Sequence, residues 1–148
     1  MNDNHYQQNL YMKINLTITG CMGRMGQQLI KSSNKNKIFK IVSLTENFKI
    51  NKKINNILPE FNNVNSFKKT NIIIDFTVPK CTLEVLKIAS KLKKRVVIGT
   101  TGFTKSQENL IKKYSKKIPI LKAGNMSLGI NLLMYLTEIT SKSLGKNF

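Results

Sequence analysis

The sequence predicts an α/β fold, a mainly parallel sheet with helices on both faces. Three observations carry that expectation. Segments with the two-residue alternation of strands take turns with segments of helical spacing. A glycine-spaced loop, Gly20 to Gly26, joins the first strand to the first helix. Ile72-Ile73-Ile74 is a continuous β-branched run, which suits a parallel strand buried on both faces.

The elements follow in order from Lys13. Ile14, Leu16 and Ile18 alternate with Lys13, Asn15, Thr17 and Thr19, which predicts a strand. After the glycine loop, Met25, Leu29 and Ile30 fall on a short helix ending near Ser33. Phe39 to Leu44 is a second strand. Residues 47–70 are rich in Asn and Lys and weakly patterned, with a short strand expected near Val64. The isoleucine strand ends in Asp75-Phe76-Thr77, and Pro79 opens a helix, where its missing N–H costs nothing. Val85, Ile88, Ala89 and Leu92 form the apolar stripe of that helix. Arg95 to Ile98 is the next strand, and Gly99 to Phe103 a loop. Thr104 and Gln107 predict a capping box for a helix over Lys105–Lys116, with Leu110, Ile111 and Tyr114 inward. Ile118 to Leu121 is a further strand, and Ala123 to Ser127 a loop. A last helix carries Leu132, Leu133, Leu136 and Ile139 on one face and ends near Gly145. Residues 1–12 are expected to form a flexible tail, and 13–144 one domain. His5 in that tail is read as a solvated residue without a role.

Composition narrows the function. At 148 residues and 41% hydrophobic content, one domain with one core is affordable by size. The longest apolar run, Leu132 to Leu136, is five residues, far short of the about 20 a membrane helix needs. The first 12 residues lack the basic start and apolar centre of a signal peptide. Two cysteines, Cys21 and Cys81, make no disulfide framework, so a reduced, cytoplasmic setting is expected. There is no zinc spacing and no Gly-x-x-x-x-Gly-Lys phosphate loop. The net charge of +18 raises the prospect of nucleic acid. The basic residues are 23 Lys and two Arg, spread along the chain, and Lys, Asn and Ile together are what AT-rich codons encode. Neither nucleic acid nor a membrane is expected as a partner.

The chemistry-bearing residues lie at the carboxyl ends of strands, where open α/β sheets bind ligands. Gly20-Cys21-Met22-Gly23-Arg24-Met25-Gly26 is a variant of the dinucleotide fingerprint, and makes the expected architecture Rossmann-like. Gly20 permits the turn, Gly23 lets the backbone approach a pyrophosphate, and Gly26 lets the helix pack on the strand. Glu46, 20 residues beyond Gly26, is placed to accept hydrogen bonds from an adenosine ribose, or is a surface glutamate. Gly99, Thr100, Thr101 and Gly102 offer backbone access and hydroxyl donors. Asn125 positions a nicotinamide or substrate, or caps the last helix. Cys21 and Cys81 are read as packing residues, with no histidine beyond the tail to serve as a base.

Four motifs in this order and spacing then carry a resemblance: Gly20 to Gly26, Asp75-Phe-Thr-Val-Pro79, Val97-Ile-Gly-Thr-Thr-Gly-Phe103 and Ala123-Gly-Asn-Met-Ser-Leu-Gly129. Together they resemble the amino-terminal domain of the dihydrodipicolinate reductase family, also called 4-hydroxy-tetrahydrodipicolinate reductase, over Lys13 to Leu144. The resemblance implies NADH or NADPH as cofactor and hydride transfer to a cyclic dicarboxylate imine in lysine biosynthesis through diaminopimelate. It places Gly20, Cys21, Met22, Gly23, Arg24 and Met25 at the pyrophosphate and Glu46 at the adenosine ribose. It puts Gly99, Thr100 and Thr101 beside the nicotinamide, Thr101 also near substrate, and Ala123, Gly124, Asn125 and Met126 over the nicotinamide. Phe76 and Thr77 are further candidates. Where members that use the phosphorylated cofactor often carry a basic residue after the glutamate, this sequence has Asn47; either Lys49 nearby serves a 2′-phosphate, or the chain prefers NADH or uses both cofactors. The family's His-His pair, lysine acid and Gly-Thr belong to a carboxyl-terminal domain, so no catalytic residue is expected in this chain, nor turnover from it alone. The family homotetramer assembles mostly through that domain, which leaves a monomer open here. Two other readings compete: a free-standing nucleotide-binding module, and another dehydrogenase acting on homoserine or an amino-acid semialdehyde.

Overall fold

The computed structural model describes residues 13–145; the tail expected over 1–12, with His5, lies outside the described residues. Five strands form one sheet in the order β2-β1-β3-β4-β5, every neighbouring pair parallel. They are β1 (Ile14–Thr19), β2 (Phe39–Thr45), β3 (Ile72–Asp75), β4 (Arg95–Ile98) and β5 (Ile120–Lys122). The helices are α1 (Arg24–Lys35), α2 (Val64–Lys68), α3 (Pro79–Lys91), α4 (Lys105–Ser115) and α5 (Leu128–Leu144). The sequence order reverses at β1, where one crossover leads to β2 and the next to β3. Ligands bind at such a switch point in open parallel sheets.

Register assigns the faces. Thr17 pairs with Ile73 and Ile73 with Val96; Thr19 pairs with Asp75 and Asp75 with Ile98. These residues share the face covered by α2, α3 and α4, where Phe67, Val85, Leu86, Ala89 and Ile111 complete a buried cluster. On the other face Ile18, Ile41 and Leu44 pack with Ile30 of α1. Ile73 is fully buried, whereas Ile72 and Ile74 are half-buried, because α1 packs over β1 and β2. The run expected to be buried on both faces is therefore closed on one.

Several boundaries depart from the sequence reading for local reasons. Val64 opens a helix, not a strand. The Asn63 side chain accepts the Ser66 N–H at 2.9 Å, and Ser66 Oγ accepts the Asn63 N–H at 3.0 Å, a reciprocal cap that starts α2. The fifth strand starts at Ile120: Ile118 donates its N–H to Tyr114 at the end of α4, and Pro119 has none to give. Leu110 is exposed, because the inward stripe of α4 runs through Gln107, Ile111 and Tyr114. The Thr104–Gln107 capping box forms as expected. In α5 no residue is buried, and Leu132, Leu133, Leu136 and Ile139 all face solvent. No helix among the described residues is long and apolar enough to cross a membrane.

Candidate functional site

The glycine loop leaves β1 at Gly20, whose φ of +66° is open to glycine and costly for other residues. A Cβ here would also stand 2.7 Å from the Thr77 methyl and 3.2 Å from the Phe76 carbonyl oxygen. Gly26 is tighter still: its Cβ would run into the Gly20 carbonyl oxygen and lie 2.8 Å from Cys21 Cα, so only glycine lets α1 approach the end of β1. Between them Met22, Gly23, Arg24 and Met25 are exposed. Gly23 is the N-cap of α1 and offers no side chain to the first-turn amides, which helix geometry leaves without intrahelical acceptors.

Glu46 follows the last residue of β2 and turns its carboxylate toward this loop. Oε2 accepts the Met22 N–H at 3.1 Å and Oε1 accepts the Asn47 N–H at 3.0 Å. Gly20, Met22, Gly23, Glu46, Phe76 and Thr77 line a cleft of about 450 Å³, with Phe48, Val78 and Cys81 at its apolar side. An adjoining cavity of about 300 Å³ shares Glu46, Asn47, Val78 and Cys81 and adds Phe61, Asn62, Lys80 and Glu84. Lys80, not Lys49, is the lysine lining this adjoining cavity.

The strand-end motifs of β3 and β4 interlock beside the cleft. A Cβ on Gly99 would overlap the Phe76 ring, so the two loops are in direct apposition. Asp75 is fully buried, and its carboxylate collects four hydroxyls: Thr19 (2.5 Å) and Thr77 (2.7 Å) on Oδ1, Thr82 (2.5 Å) and Thr100 (3.2 Å) on Oδ2. Thr100 is 3% exposed, and its side chain points into the protein, onto Asp75. Thr101 is exposed. Ala123 is tied to the same sheet edge by its N–H to the Ile98 carbonyl at 3.3 Å. Asn125 accepts the Ser127 N–H at 2.9 Å and donates to Asn131, a turn that leads into α5; the cap of α5 is Ser127. Gly124 and Met126 are exposed. The fold thus gathers Gly20, Met22, Gly23, Glu46, Phe76 and Thr77 around one cleft, with Gly99 against Phe76 and Cys21 buried behind the loop. Thr101 and Ala123 to Met126 stand outside the lining of that cleft. Thr19 and Thr82 were missed in the sequence. Their signal is a lone aspartate ending an apolar strand, because a buried carboxylate needs donors from its neighbours.

Cys21 is fully buried, and burial, reinforced by Glu46, pushes its thiol up to about 11; burial raises Cys81 as well. A thiol that ionises less readily in the folded chain binds its proton more tightly there. Stability from this group is therefore full below about pH 9 and falls as pH rises from about 9 toward 11. In the native chain at pH 8 both thiols should resist Ellman's reagent for at least an hour and react at once in urea. Labelling within seconds under native conditions would contradict this packing.

Comparison with known proteins agrees with these motifs. A family model described as dihydrodipicolinate reductase, N-terminus, matches residues 14–126. The 4-hydroxy-tetrahydrodipicolinate reductase of Pelagibacter ubique (strain HTCC1062) is 71% identical over 136 residues, 92% of this chain and 53% of the relative. That of Buchnera aphidicola subsp. Cinara cedri (strain Cc) is 39% identical over 147 residues, 91% of this chain and 54% of the relative. Among solved structures, dipicolinate-bound dihydrodipicolinate reductase from Paenisporosarcina sp. TG-14 aligns with a TM-score of 0.72 at 26% identity, over 86% of this chain and 53% of that one. The chain spans about half the length of the curated relatives it matches. With glycine loop, interlocked strand ends and family match in agreement, the chain belongs to the dihydrodipicolinate reductase family, as its amino-terminal, NAD(P)H-binding domain.

Proposed function

We propose that this chain binds and orients NADH or NADPH at the carboxyl edge of its sheet, and that the whole enzyme passes the hydride to 4-hydroxy-tetrahydrodipicolinate, a cyclic dicarboxylate, in the cytoplasm. The observation that carries this reading is the cleft in which an uncapped helix start, the glycines Gly20 and Gly23 and the Glu46 carboxylate face one another. The residues fit the cofactor. Glycine at 20 and 26 lets α1 start tight against the end of β1, and the amides at the start of α1 suit a diphosphate. Glu46 lines the cleft and accepts one N–H at each oxygen, which leaves each oxygen a further lone pair for a ribose hydroxyl. When bound, the nicotinamide supplies the hydride. The chain's own residues hold the diphosphate, fix the ribose and present the nicotinamide at the edge formed by Gly99 to Thr101 and Ala123 to Met126. Thr101, exposed on that edge, is the residue proposed to reach the substrate.

Titration calorimetry with NADH and NADPH tests this. Both should bind, NADH at least as tightly, because a 2′-phosphate beside Glu46 meets like charge and has Asn47 next to it, with Lys80 only in the adjoining cavity. Glu46→Ala should weaken NADH about 10- to 100-fold, the range expected for hydrogen bonds to a charged acceptor, and NADPH by less. Unchanged NADH affinity in this variant would remove Glu46 from the site.

A further inference from the structure

We propose that Asp75 is a positioning residue: its buried carboxylate sets the nicotinamide-side loop, through Thr100, without touching the cofactor. This rests on the cofactor reading above and adds a residue to it. Asp75 is the centre of a hub that ties four segments together. Thr19 enters from the end of β1, Thr77 from the loop after β3, Thr82 from the first turns of α3 and Thr100 from the loop after β4. Its backbone takes part as well, since its carbonyl accepts the Gly99 N–H at 2.8 Å.

Thr100 is the link to function. Its Oγ1 accepts the Thr77 N–H at 2.9 Å while its proton goes to Asp75 Oδ2. One hydroxyl therefore fixes the spacing between the Thr77 loop, which packs on Gly20, and the Gly99–Thr101 loop, which packs on Phe76. No described cation faces Asp75: the two ion pairs among the described residues are Lys122–Glu108 and Lys142–Glu138. Hydroxyl donors alone compensate the burial, and every one of them has its direction set as a consequence. In Asp75→Asn the amide N–H groups would face hydroxyls that now donate, and Thr100 would lose the acceptor for its proton. The loop after β4 would lose its fixed place, and a displacement of about 1 Å at a reacting group is enough to matter.

The hub bears on the nicotinamide end, whereas Glu46 and the start of α1 bear on the adenosine diphosphate end. That separation gives the test. NADH and ADP-ribose, which lacks the nicotinamide, are titrated into the full chain carrying Asp75→Asn, and into Thr100→Val and Thr100→Ser in case the first variant folds poorly. In Asp75→Asn and Thr100→Val, NADH should weaken about tenfold and ADP-ribose less than about twofold, with Thr100→Ser restoring NADH because it keeps Oγ. Equal losses for both ligands, or no loss for either, overturn the role given to Asp75. A wild-type chain that binds neither ligand overturns the cofactor reading, and this one with it.

Discussion

Gly26→Ala should abolish stabilisation by NADH while leaving a folded but weakened chain. The added methyl points at the Gly20 carbonyl oxygen and at Cys21 Cα, both backbone, so no side-chain rotation relieves the overlap. Helix α1 has to move off the end of β1. Overpacking of this kind costs about 1–3 kcal/mol, and more where backbone must shift. The movement also carries the Arg24 and Met25 amides away from the cleft, and a misplacement of about 1 Å there is worth roughly 100-fold in a positioned complex. Thermal melts with and without saturating NADH check both effects. The wild-type chain should gain several degrees on adding NADH, and the variant almost none. Gly129→Ala is the control: its Cβ would meet only the Ser127 hydroxyl, at 3.9 Å, and it stands outside the cleft, so the gain on adding NADH should stay as in the wild-type chain. If Gly26→Ala kept wild-type affinity, the close approach of α1 to β1 would have no bearing on the ligand.

The same glycines mark how far the site was legible in the sequence. Gly20 and Gly26 stand at positions where absence of a side chain is the required property, and absence is visible in a string of letters. Glu46 was legible by its distance from Gly26, and the structure turns its carboxylate onto the Met22 amide. Thr100 was read as facing the nicotinamide, but its side chain is buried against Asp75. Nothing local distinguishes an outward threonine from an inward one at a strand end. The decision lies with a partner 25 residues away, on another strand. Lys49 is absent from the lining of both spaces for a related reason. Lys80 sits at the start of α3, and the crossover brings that end over the cavity beside Glu46. Sequence proximity to the glutamate was the wrong measure of closeness.

The fold divides along the same line. Strands β1 to β4 and helices α3 and α4 were readable because period and caps are local properties. Residues 47–70 were not, because their order depends on contacts with distant elements. Ile54 and Ile57 pair with each other and pack under the α1-side core, and Glu60 bridges Thr45. The short helix α2 follows, and its apolar content is two residues, Val64 exposed and Phe67 buried, too few to show a helical period.

Phe67→Ala is accordingly expected to be the most destabilising truncation in the domain, at about 3–5 kcal/mol. Phe67 is fully buried: it heads the fully buried side chains by volume and belongs to the cluster of Val85, Leu86 and Ala89 on α3. A domain of this size has about 5–15 kcal/mol in total, so the loss is a large fraction of it. The effect should also reach the candidate site. Five residues cannot hold a helix by hydrogen bonding alone, so α2 stays in place through the buried ring and the Asn63–Ser66 cap. Asn62 precedes that cap; it accepts the Thr45 hydroxyl at 2.6 Å and donates to Cys81 Sγ at 3.4 Å. With α2 loosened, this bridge between the end of β2 and the start of α3 opens, and Cys81 becomes accessible. Urea denaturation should show the lower midpoint, and Ellman's reagent in dilute urea should reach Cys81 well below the unfolding transition. Phe67→Leu, which keeps most of the volume, should recover most of the stability and the protection of the thiol together. If Phe67→Ala lowered the midpoint yet left Cys81 as slow to react as in the wild-type chain, α2 would be held by its cap and not by its ring.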